Sequence, residues 1–151
     1  MTSKALSTAQ QCIDRAEACR ETADRLAAAG DEWAAVCNFY AAFHVVRAAL
    51  LADPIFTSIK ACAAKHINLQ MSDRDVTMHQ ARLGTSSGRA FGVNDLVKLL
   101  YPQIEFEYLE LHSWSVNVRY NEGLEPHSSI GASRRYYETI RTAYDEGRLV
   151  A

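Results

Sequence analysis

Tyr40, His44 and Arg47 stand at i, i+4 and i+7, so on a helix they share one stripe. Phe39, Phe43 and Val46 make the neighbouring stripe. A wholly buried helix has no use for His and Arg at such positions, because burying them unpaired is costly. They must face a polar cleft, a partner helix or solvent. Further along, Arg74 and His79 are five residues apart, and Arg119 precedes Tyr120. An arginine presents a forked donor set that holds and neutralises a phosphate. A histidine moves a proton near neutral pH. If the helices carrying His44, Arg47 and Arg119 lie side by side, these residues converge on a cleft that binds a phosphate or nucleotide, with Tyr40 and Tyr120 beside it.

Helices must position these groups. The chain has only 3 Pro and 7 Gly and is rich in alanine, a balance that favours helix. A first helix is expected from about Thr8 to Ala29, with Cys12, Ala16, Cys19, Ala23, Leu26 and Ala27 at spacings of three and four and Gly30 as its stop. Asp31 is placed to cap a second helix, which Pro54 ends near Ala52. With only Gly30 and Asp31 between them, the two must form an antiparallel hairpin. From about 55 to 92 the pattern weakens into a long excursion. It holds a short helix around Ser58–Lys65, another capped at Ser72–Asp73 and reaching about Leu83, and the loop Gly84–Gly88. Asn94 reads as the cap of a short helix that Pro102 stops. A long helix follows from Ile104 to Asn121, and Ser133 reads as the cap of a last helix to about Glu146. The expected fold is all-α: one domain, four-helix-bundle-like, with extra short helices in the central excursion.

Two stretches carry a family resemblance. FYAAFHVVRAALL, Phe39–Leu51, is similar to the helix-2 signature of small bacterial HEPN-domain proteins. LELHSWSVNVRY, Leu109–Tyr120, resembles their later helix with its terminal Arg–Tyr, and the order of helices also fits. The resemblance implies a HEPN bundle acting as a homodimer on RNA or a nucleotide, without a cofactor. In many members it implies a metal-independent endoribonuclease of a toxin–antitoxin or defence system. The family motif is an arginine, four to six residues, then a histidine, and Arg74-Asp75-Val76-Thr77-Met78-His79 matches it. At the usual place on the later helix the chain reads Trp114-Ser115-Val116-Asn117-Val118-Arg119, with Trp where Arg is expected and Arg where His is expected. By this resemblance Arg74 or Arg119 would hold the scissile phosphate, and His79 or His44 would shuttle protons. The alternative is a non-catalytic HEPN-like module that binds a cognate partner protein. A basic cleft favours the first reading and an exposed apolar patch the second.

Plainer roles compete for the same residues. Arg74 can pair with Asp73 or Asp75 on a solvated helix, where such a pair contributes little. His79 suits a surface or capping role, and His44 a packed and hydrogen-bonded place at the core edge. Arg47 and Arg119 can pair with Glu107, Glu110 or Glu122. Arg89, Arg134, Arg135 and Arg141 would form a basic rim diluted by Glu138, Asp145 and Glu146. The net charge of −2 over 151 residues gives no general pull toward nucleic acid or anionic membrane. Cys12, Cys19, Cys37 and Cys62 form no CxxC pair and read as free thiols. No apolar run nears 18 residues and no secretory segment follows Met1, so a cytoplasmic protein without a membrane partner is expected. His66 and His112 show no metal-ligand spacing, and no GxSxG or HExxH hydrolase motif occurs.

Overall fold

Capping and apolar spacing produce six α-helices in a computed structural model that describes residues 5–80, 91–124 and 129–151. They are α1 (Ala9–Ala28), α2 (Trp33–Ala52), α3 (Ile59–Lys65), α4 (Val93–Leu100), α5 (Glu105–Tyr120) and α6 (Ser129–Asp145). Among the described residues there is no strand. The expected all-α class is therefore observed, with four long helices and short ones between them.

Thr8 starts α1 through a reciprocal pair: the Gln11 N–H donates to Thr8 Oγ1 at 3.1 Å, and the Thr8 N–H to Gln11 Oε1 at 3.2 Å. Gly30, with φ of 70°, makes the left-handed turn that folds α2 back along α1. Asp31 Oδ1 accepts from the Trp33 N–H at 2.9 Å. α2 is the central helix, packed against α1, α5 and α6. By length and composition the stretch Trp33–Thr57 is apolar enough to cross a membrane, contrary to the sequence expectation. Most of it, however, is buried inside the bundle. At its end the buried Asp53 accepts from Tyr101 Oη at 2.8 Å, from the Ile55 N–H at 3.1 Å and from the Ala151 N–H at 2.9 Å. That carboxylate ties α2, the end of α4 and the last residue together.

A second tie is electrostatic. Arg134 on α6 bridges Asp24 of α1 at 2.8 Å and Glu138 of its own helix, while Arg141 reaches Glu17 of α1 at 2.7 Å and Asp145 at 3.0 Å. These two arginines thus serve the α1–α6 seam rather than a basic rim. Arg89 lies outside the described residues.

Three expected elements differ. No α-helix starts at Ser72–Asp73: a 3-10 turn covers Met71–Asp75, and Val76 leaves it in extended conformation. Asp73 Oδ2 accepts from the Gln70 N–H at 2.8 Å, which closes a turn, and the β-branched Val76 and Thr77 do not favour its extension. The rest of that expected helix, to Leu83, and the loop Gly84–Gly88 lie outside the described residues. Asn94 is not a cap, because Gly92 precedes α4 and Asp95 Oδ2 accepts from the Gly92 N–H at 2.9 Å. Ser133 lies inside α6, where its buried hydroxyl donates to the Ile130 carbonyl and accepts from Asn38 Nδ2 at 2.9 Å.

Candidate functional site

α5 carries Tyr108, His112, Ser115 and Arg119 at intervals of four, three and four, so all four occupy one helical face. Tyr108 and Ser115 are fully buried. His112 sits beside Phe39 of α2 at a ring separation of 5.2 Å. The second imidazole comes from the excursion: His79 packs on Phe43, Phe39 and Tyr40 at 5.0, 5.3 and 6.0 Å, and its ring lies 5.4 Å from that of His112.

The start of α4 holds both histidines. The Val93 N–H donates to the Met78 carbonyl at 2.7 Å and the Asn94 N–H to the His79 carbonyl at 3.0 Å. These carbonyls satisfy orphan donors of the first turn of α4 and fix the backbone of the His79 segment. The Asn94 side chain turns to α5, with Nδ2 3.2 Å from His112 Nδ1. With Asn94 donating, His112 Nδ1 accepts and the ring proton sits on Nε2. Gly92 permits this arrangement. A Cβ there would lie 2.5 Å from the Gln80 carbonyl carbon and 2.6 Å from the His79 oxygen.

Arg119 supplies the charge. Its Nε donates to the Ser115 carbonyl at 3.2 Å and its Nη1 to Tyr40 Oη at 3.2 Å. Its guanidinium lies over the Tyr40 ring at 5.6 Å and the Tyr120 ring at 5.0 Å. Among the described residues no carboxylate pairs with it, so the expected bridges to Glu107, Glu110 or Glu122 are absent there. The side chain is thus oriented by neutral partners, and among the described residues its charge has no carboxylate within ion-pair distance. Among the described residues, four buried side-chain atoms of α4, α5 and the His79 segment have no partner: His79 Nδ1, Asn94 Oδ1, Tyr108 Oη and Ser115 Oγ. Each such atom costs about 1–3 kcal/mol while it stays unsatisfied.

Burial and neighbouring positive charge keep these imidazoles neutral. Burial lowers His112 to about 4, with His79 and Arg119 adding to the shift. Burial, then Arg119, also lowers His79. His44 is pushed to about 4 by burial, then by Arg15 and Arg47. The unfolded chain takes up protons on these rings below about pH 6.5, and the folded chain refuses them until the pH is lower still. Their contribution is whole above about pH 6.5 and is lost as the pH falls toward 4 for His44 and His112. Urea midpoints are expected to fall between pH 7.5 and 5, and to fall less in His44→Gln, which cannot protonate. Equal falls in the variant and the wild type would remove His44 from this account.

The structure brings Tyr40, His79, Arg119 and Tyr120 together. It leaves Arg74 exposed beside Asp75 at 3.5 Å, and Arg119 is the arginine whose charge acts on both His79 and His112. Tyr120 is largely exposed. His44 and Arg47 lie further along α2, where Arg15 rather than Arg119 is the other charge acting on His44. His44 packs on Phe43, but among the described residues its buried Nδ1 has no partner, so the expected hydrogen bond is absent there. Sequence reasoning passed over His112 and Asn94 as site residues. The signal for His112 was its spacing of seven from Arg119, two turns of one helix face. Asn94 gave none, because its partner lies 18 residues away. Among the described residues no group of three His, Cys, Asp or Glu is placed to hold a metal. Comparison with protein-family models, curated proteins and solved structures returned no match to this chain.

Proposed function

We propose that this chain is a HEPN-like protein that binds RNA and cleaves it without a metal at the His79–His112–Arg119 cluster. The observation that carries this reading is Arg119: a guanidinium held by tyrosine and a carbonyl, with no carboxylate on it among the described residues, beside two neutral imidazoles. Arg119 holds the scissile phosphate and neutralises charge that develops on it. His79 takes the 2′-hydroxyl proton, the 2′ oxygen attacks phosphorus, and the bond to the 5′ oxygen breaks. The proton passes from His79 to that leaving oxygen, giving a 2′,3′-cyclic phosphate and a 5′-hydroxyl. His112, with its proton on Nε2, donates to a non-bridging phosphate oxygen.

A second reading, a non-catalytic module for a partner protein, draws on a different surface. Ile59 and Ile67 are 79% and 88% exposed, and Ile59 borders a groove of ≈ 420 Å³ shared with Cys62, Leu69 and Met71. One experiment divides the two. Purified protein is incubated with several RNAs in EDTA, with Arg119→Met alongside. The wild type is expected to cut, and the variant to cut about 100-fold more slowly or worse, the usual cost of removing one donor to a developing negative charge. No cutting of any RNA, or equal cutting by the variant, would overturn the catalytic reading.

A further inference from the structure

Arg47 is the least compensated cation in the core. It is 8% exposed, and its Nε is buried without a partner among the described residues. Among the described residues it makes no ion pair and no side-chain hydrogen bond. Its Nη1 and Nη2 are not among the buried unpartnered atoms, so the stem is enclosed and the fork opens to the surface. One turn earlier His44 also buries an Nδ1 that has no partner among the described residues. Across the antiparallel seam, α1 presents Cys12 and Arg15, spaced three apart as are His44 and Arg47. The charge of Arg47 reaches Cys12, and those of Arg15 and Arg47 both reach His44. Arg15 likewise forms no ion pair among the described residues. In the α1–α2 hairpin register Cys12 and Arg15 thus stand opposite Arg47 and His44, and among the described residues neither arginine has a carboxylate within ion-pair distance.

We infer that Arg15, His44 and Arg47 form a binding site for a phosphate group, separate from the His79–His112–Arg119 cluster. The fork of Arg47 supplies two parallel donors, Arg15 closes the site from α1, and the His44 ring borders it. The site is displaced along α2: Tyr40, which touches Arg119, and Arg47 are seven residues apart, about 10 Å of helix rise. The phosphate can belong to a nucleic-acid strand or to a small phosphorylated ligand, and the site requires no cleavage at the other cluster.

The test follows the histidine ring signals of the full chain by NMR. Inorganic phosphate is titrated in, then a 5′-phosphorylated dinucleotide, with chloride at matched ionic strength as control. The His44 signal is expected to move saturably with phosphate and not with chloride. Arg47→Met keeps the buried stem and is expected to weaken that binding about tenfold or more, as loss of a charge-assisted hydrogen bond does. Arg47→Lys should restore part of it. If Arg47→Met does not fold, Arg15→Met, on an exposed side chain, gives the same readout. Tighter binding of the dinucleotide than of phosphate assigns the site to nucleic acid, and equal binding assigns it to a small phosphorylated ligand. A His44 signal that ignores phosphate, follows chloride equally, or moves unchanged in both arginine variants would overturn the site.

Discussion

His79→Gln is expected to slow metal-free RNA cleavage by about two to four orders of magnitude, the usual range for a positioned proton carrier. Glutamine keeps a polar side chain of similar length against Phe39, Tyr40 and Phe43 but cannot take a proton at neutral pH. His112→Gln is expected to lose much less, about tenfold, because an amide N–H can still donate to a phosphate oxygen. The two rings are chemically alike, so their environments must separate the roles. His112 has its Nδ1 committed to Asn94, which leaves its Nε2 as a donor. Among the described residues no side chain fixes the His79 ring in the same way, and its Nδ1 has no partner. The pH profile adds a second check. His79 sits below the ordinary histidine range, so the rate should rise with pH through its lowered pKa and be level by pH 7. A large loss in His112→Gln with a tolerated His79→Gln would exchange the roles. A rate that still climbs through pH 7 would place the base on another group.

The long helices were legible because local rules and burial agree in them. Helices start near Thr8 and Ser58 and α1 stops at Gly30, as expected, Thr8 and Ser58 proving to be caps, and the apolar spacing of α1 faces the core. Asn94 and Ser133 carry the same capping signature but sit inside helices. Their polar atoms are used by His112 and Asn38, and the second of these partners is 95 residues away in sequence. A short-range rule cannot see such bonds. The Arg74–His79 spacing carries meaning only on a helix, where a regular spacing fixes relative orientation. On a 3-10 turn followed by extended chain that spacing says nothing about a shared face, and Arg74 lies beside Asp75. His112 and Arg119 do share a face, with histidine first and arginine second. A search for arginine first passes over them. The two stretches compared with HEPN proteins lie on α2 and α5, which carry Tyr40 and His112–Arg119, while the pairing of His79 with His112 depends on tertiary contacts that α4 creates.

Gly92→Ala is expected to destabilise the fold by about 1–3 kcal/mol, the range for an overpacked site, and to disable the site with it. The cost is contact, not backbone strain, since Gly92 has φ of −89°, which any residue adopts. The added Cβ would meet the Gln80 carbonyl carbon at 2.5 Å, the His79 oxygen at 2.6 Å and the Gln80 Cα at 2.7 Å. These are main-chain atoms that cannot rotate away, so the 78–80 segment must retreat by about 1 Å to reach a carbon contact near 3.5 Å. That retreat strains the hydrogen bonds from Val93 and Asn94 to the Met78 and His79 carbonyls. It also moves the His79 ring relative to His112 and Arg119, and a displacement of that size can cost about 100-fold in rate. Gly30→Ala is the control. There φ is 70° and nothing lies within 4 Å, so alanine suffers only the left-handed backbone, about 1–2 kcal/mol. Comparable losses of stability in the two variants, with activity lost only in Gly92→Ala, would show that the α4 contact positions His79. Full activity in a destabilised Gly92→Ala would mean that the backbone register at 78–80 does not set the site, and would move the proton carrier away from His79.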